Sequence, residues 1–121
     1  VRERFLENRL VGNLMVIHGF AVNRNKYPVS KIKVKAKLLN ASGEFVGEAE
    51  AYCGVLLTEE EIVNLTEKEI RAELNNPYGR NVTNADILPE GKIPFLVVLP
   101  ESTAKAVEYI VELAELEKPI R

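Results

Sequence analysis

Hydrophobic and polar positions alternate with the period of a β-strand over much of this chain. The clearest run is 31–39, where Lys31, Lys33, Lys35 and Lys37 interleave with Ile32, Val34, Ala36 and Leu38. A period of two sends one set of side chains to a core and the other to water. At 13–23, Leu14, Val16, His18, Phe20 and Val22 share one face, and Met15, Ile17, Gly19 and Ala21 the other. The polar run ending at Pro28 reads as the loop between these two strands. Asn40, Ala41, Ser42 and Gly43 read as a four-residue hairpin loop, with glycine where a left-handed residue is often needed. That loop sets Leu39 opposite Glu44, Lys35 opposite Glu48, Lys33 opposite Glu50 and Val34 opposite Ala49. Opposite charges then meet across the pair, which neutralises the lysine stripe rather than leaving an anion-binding patch.

The alternation breaks at 57–75. Thr58 with Glu61, and Thr66 with Glu69, have the spacing of capping boxes, a hydroxyl followed three residues later by a glutamate. Two short helices are expected, the first barely more than a turn, docked through Ile62, Leu65, Ile70 and Leu74. Further on, 81–88 holds a weak strand and 93–99 a buried one. The segment 104–116 is rich in helix-favouring alanine and glutamate. Its Val107, Tyr109, Val111 and Leu113 nevertheless alternate, which favours a final strand. Residues 1–11 mix charges with Phe5, Leu6 and Leu10 and suit a short helix or lead-in arm. The expected fold is mainly β, an antiparallel β-sandwich with a two-helix insert at about residues 58–75. The chain divides into an N-terminal arm or linker at 1–12, the β-sandwich domain at 13–116 and a C-terminal tail at 117–121.

At 121 residues, 46% of them apolar and 28% charged, the chain is sized for one globular core. A net charge of -2 gives no electrostatic reason to expect nucleic acid. No apolar run approaches the ~20 residues of a membrane helix, and no signal-peptide pattern opens the chain. It begins at Val1 rather than at methionine, so a piece of a longer protein is expected, with an anchor or targeting segment upstream.

Cys53 is the only cysteine and His18 the only histidine, which rules out an intrachain disulfide and Cys-pair or His-pair metal sites. Met15 points away from the His18 face, so Met15, His18 and Cys53 make no soft-metal trio. His18 is expected as a core or semi-buried residue bonded to backbone, and Cys53 as a small buried hydrophobe. The glycines are dispersed and form no phosphate-binding loop. Asn40, Asn64 and Asn81 begin Asn-x-Ser/Thr triplets and read as turn and cap residues.

With catalytic and cofactor constellations missing, the reading is a non-enzymatic module without cofactor or metal that binds a protein partner or assembles with itself. The alternative is a small-ligand receptor in which the helical insert covers a pocket over Gly47, Ala49 and Ala51. Tyr27, Asn75, Asn76, Tyr78 and Arg80 are the candidate interaction surface, a polar, aromatic-tipped loop region that would otherwise be ordinary solvated loop.

The order of the pieces resembles a family of uncharacterised bacterial domains found C-terminal to a zinc ribbon and a single membrane helix. The residues carrying the likeness are Val16-Ile-His-Gly-Phe-Ala-Val-Asn23, the Pro28 entry to the lysine strand, Ala41-Ser-Gly43 and Tyr52-Cys-Gly54 leading to Leu57 and Thr58. Leu74-Asn-Asn-Pro77 and the Pro89, Gly91, Pro94, Phe95 series complete it. A more distant likeness is to the FxLYD-type β-sandwich, which Ala36-Lys-Leu-Leu-Asn40 matches at Leu38 alone. The resemblance implies an immunoglobulin-like sandwich on the extracytoplasmic side of a bacterial inner membrane, in an envelope protein anchored elsewhere in its chain. This piece would not itself insert in the membrane, and the resemblance brings no catalytic residues.

Overall fold

The runs of sustained alternation are strands in the computed structural model, which describes residues 2–100 and 106–119. The strands are β1 (Arg2–Asn8), β2 (Gly12–Val22), β3 (Ser30–Asn40), β4 (Phe45–Tyr52), β5 (Lys92–Pro100) and β6 (Ala106–Glu117). The helices α1 (Glu59–Asn64) and α2 (Glu67–Leu74) lie between β4 and β5. The strands form two antiparallel three-stranded sheets, ordered β1-β2-β5 and β4-β3-β6. The fold is thus mainly β with a small helical insert.

Both helices start where the capping chemistry requires. Thr58 accepts from the Glu61 N–H while Glu61 accepts from the Thr58 N–H, and Thr66 and Glu69 repeat the exchange. Reciprocal caps satisfy donors that a helix of one or two turns leaves open. At 106–117 the alternation prevails over helix propensity, because β6 pairs along β3 and gains a half-buried surface there.

Three local expectations are corrected. Residues 2–8 are neither helix nor free arm but strand β1, paired with β2 so that Leu6 faces Leu14. Long-range contacts hold it there. Arg4 pairs with Glu59 at 2.6 Å, and the Asn8 side-chain amide donates to the carbonyls of Ile62 (2.6 Å) and Leu65 (2.9 Å). The weak strand expected at 81–88 reduces to one bridge, between Val29 and Ile87.

The β3–β4 hairpin departs from the expected register by two residues, with Lys35 opposite Glu50 and Val34 opposite Ala51. The loop proper is three residues long, since the Asn40 N–H donates to the Glu44 carbonyl at 3.0 Å. Val46 is then the extra residue of a bulge between the Leu39–Phe45 and Leu38–Gly47 pairs. A shift of two keeps every side chain on its expected face.

The sheets share one core containing Val16, Ile17, Val34, Ala36, Val97 and Leu99. The Arg4 and Asn8 contacts place α1 over the face of the first sheet that carries Leu14 and Val16. The opposite face, with Ala21 and Phe95, shares a cleft with Ile32 and Val34 and so turns toward the second sheet. Both faces of β2 are consequently buried from Leu14 to Ile17. Beyond β4, the Gly54 N–H donates to the Pro94 carbonyl at 2.8 Å and ties β4 to β5. The edges left open among the described residues, β1 and β6, therefore lie on the other side of the molecule. The register between β3 and β6 is unbroken only over 108–113, where Val107 and Ala114 are the extra residues of flanking bulges.

Candidate interaction surfaces

The outward face of the second sheet is an ion-pair ladder. Lysines of the central strand β3 meet acids from both neighbours: Lys33 and Lys35 approach Glu50 at 2.9 and 3.6 Å, and Lys37 approaches Glu112 at 2.7 Å. Lys31 pairs with Glu117 at 3.1 Å. Hydrogen bonds from the lysines hold Glu50 and Glu112 below the usual carboxylate range and raise Lys31, Lys33 and Lys37. The Tyr52 and Phe45 rings lie 5.1 and 5.0 Å from the ammonium groups of Lys33 and Lys37. The stripe is neutralised, as its sequence suggested, but β6 supplies two of the three acids, Glu112 and Glu117, and β4 only Glu50.

The residues singled out from the sequence fall into two groups. Asn75 caps the C-terminus of α2, and Asn76 shapes the next turn by accepting from the Tyr78 N–H (3.1 Å) and donating to the Gly79 carbonyl (2.9 Å). Tyr78 is exposed, with the Lys31 ammonium 5.5 Å from its ring. Arg80 belongs to the same loop but is occupied: it donates to Glu61 at 2.8 and 2.9 Å and to the Leu56 carbonyl at 3.0 Å. Its guanidinium, with the Thr58 N–H, pulls Glu61 down to about 2. Arg80 is thus a brace between the loop and α1. Tyr27 stands apart, half-buried, with Lys118 rather than Lys31 5.8 Å from its ring.

His18 is half-buried opposite Arg2, and burial, followed by the charges of Arg4 and Arg2, lowers its pKa. Among the described residues its imidazole has no hydrogen-bond partner, so the expected backbone bond is absent there. Cys53 is fully buried, and burial pushes its thiol up to about 12, which makes it a poor nucleophile at neutral pH. Among the described residues no group of three His, Cys, Asp or Glu side chains could hold a metal ion.

Open clefts lie among the described residues, two of them notable. The larger, about 930 Å³, runs between α2 and β4, with Leu14, Leu38 and Leu99 in its floor and Lys33, Glu50 and Arg71 at its rim. Gly47 and Ala49 line it, whereas Ala51 lies buried beneath. The smaller, about 340 Å³, opens between β2 and β6, where Phe20, Val34, Phe95, Val111, Leu113 and Leu116 form an apolar wall.

This second opening lies on the side of the free edges and was not anticipated from the sequence. Leu113 shares the inward face of β6 with Val111 yet is 57% exposed, and Phe5, inward on β1, is 52% exposed. The available signal was the apolar density of β6 itself, since Ile110 stands among glutamates on its outward face.

Comparisons of the chain with protein-family models, with curated proteins and with solved structures found no match. Among the described residues, no helix is long and apolar enough to cross a membrane.

Proposed function

We propose that this chain is an immunoglobulin-like module that recognises protein through its open side, as part of a membrane-anchored envelope protein of a bacterium. Strand order supports the immunoglobulin-like reading. The sheets β1-β2-β5 and β4-β3-β6 follow the order A-B-E and C′-C-F of that architecture, with the helices in place of strand D. The envelope setting rests on the sequence resemblance. The observation that carries the interaction reading is the pairing of free edges with uncovered inward apolar side chains, Leu113 on β6 and Phe5 on β1. Side chains directed at a core yet left in water gain by association with a partner surface.

Photocrosslinking in the cells that make this protein tests the reading, with the photoreactive group at position 113 compared with position 60 on α1. A discrete, saturable adduct from 113 and none from 60 is expected. No adduct from 113, together with a monomer at every concentration in light scattering, overturns the reading.

The groove between α2 and β4 favours a second reading, a receptor for a small molecule with an apolar body and a charged group. A thermal-stability screen against metabolites and sugars decides for it if one compound class raises the melting temperature by several degrees and Arg71→Ala abolishes the effect.

A further inference from the structure

In the sheet β4-β3-β6, β6 is an edge strand, and among the described residues nothing pairs with its outer side. An edge strand presents unpaired N–H and C=O groups along its length. The unbroken register over 108–113 gives six residues of regular ladder, about 20 Å of strand.

The side chains flanking that edge define what would fit. On the inward face, Val111 and Leu113 line the apolar cleft, Tyr109 continues the same face of the strand, and Leu113 is left mostly uncovered. Alternate residues of an added strand would project over this cleft and must therefore be apolar. On the outward face the columns alternate in sign: Glu48 and Glu50 on β4, the lysines on β3, then Glu108 and Glu112 on β6. The next column is matched by lysine or arginine, since opposite charges across a strand pair attract and like charges repel. A second copy pairing β6 against β6 about Ile110 would set Glu108 beside Glu112.

We infer that the 108–113 edge of β6 accepts an extended segment of another protein in which apolar residues alternate with lysine or arginine. The inference rests on the interaction reading above and specifies its partner. Main-chain hydrogen bonds provide the attachment, and the apolar cleft and acidic column provide the selectivity.

The probe is a ten-residue capped peptide alternating lysine and valine, compared with a lysine–glycine and a glutamate–valine peptide of the same length. Fluorescence anisotropy on the whole chain is expected to show saturable binding of the first, with the other two at least tenfold weaker. Hydrogen exchange on the complex is expected to slow at least tenfold at amides within 108–113. Leu113→Lys should abolish binding, and Glu108→Lys, at an exposed position, should weaken it severalfold while leaving the fold intact. Equal binding of the lysine–valine and glutamate–valine peptides, or protection confined to β1 or to α2, overturns the inference. Light scattering on the same sample separates the two levels. A dimer that Leu113→Lys dissolves overturns the foreign-strand assignment but leaves the interaction reading standing, and a strict monomer that takes no peptide overturns both.

Discussion

The side chain of Asn84 pairs with the backbone of Ile32 as a neighbouring strand would. Its Oδ1 accepts from the Ile32 N–H at 3.0 Å, and its Nδ2 donates to the Ile32 carbonyl at 3.0 Å. Both residues are buried, so these bonds exclude water from the start of β3. Alongside them the Lys31 N–H donates to the Asn84 carbonyl at 2.9 Å, with Lys31 in the left-handed region at φ +50°.

Asn84→Ala should be among the more damaging substitutions in the chain. It leaves the buried Ile32 N–H without a partner, while the Ile32 carbonyl keeps the Cys53 N–H at 2.9 Å, at a cost of about 1–3 kcal/mol. Urea denaturation should show the midpoint falling at nearly unchanged slope. A loss below about 1 kcal/mol would mean that water replaces the amide without penalty.

Acid should weaken the tie between the 75–84 loop and α1. Glu61 titrates near 2 in the folded chain against an ordinary value of 4.5, held down first by Arg80. A depressed carboxylate contributes stability that is complete above its unfolded pKa and disappears as pH falls through the folded one. The contribution is thus lost between about pH 4.5 and 2. With the pair about one-third exposed, solvent screening reduces it to about 1 kcal/mol. Stability curves for wild type and Glu61→Gln should converge over that window, and a constant gap down to pH 2 would refute the linkage.

Two glycines with similar φ angles should respond very differently to alanine. Gly54 has φ +90°, and a Cβ there would lie 2.2 Å from the Val82 carbonyl oxygen. That carbonyl belongs to a loop whose Arg80, Asn81 and Val82 N–H groups converge on the Gly54 carbonyl. Gly54→Ala should cost about 3 kcal/mol or more. Gly43 has φ +80° but open space around it, so Gly43→Ala should cost only the left-handed penalty of about 1–2 kcal/mol. Thermal melts of the two variants check the contrast.

The Cys53 thiol should resist reagents until the core opens. Fully buried and raised to about 12, it should react with an aromatic disulfide at pH 8 roughly a hundredfold more slowly than in the denatured chain. The rate should climb with urea below the unfolding midpoint. Fast, urea-independent labelling would place the thiol at the surface.

Much of the fold is legible in local signals. The lysine alternation of β3 and the two threonine–glutamate caps need no distant partner to be read, and each structure formed where its chemistry pointed. β1 was not legible, because its place depends on Arg4 and Asn8 finding α1 some 55 residues away. The hairpin register was misread for a smaller reason, since a bulge at Val46 leaves no mark in a charge pattern that repeats every two residues. Of the surfaces, Tyr78 was identifiable as exposed, but Arg80 was not identifiable as a brace. The opening beside β6 follows from which strands end up at sheet edges, a property of topology rather than of any single segment.

The bulges at Val107 and Ala114 give the β6 edge a limit as well as an opening. Edge-to-edge growth needs a flat margin on which each added chain offers the same margin to the next. Here the regular ladder stops after six residues, and the strand bends at both ends of it. A strand added there meets a bend at either end rather than a continuous template. Bulges of this kind are one of the devices by which sheets discourage edge-to-edge growth.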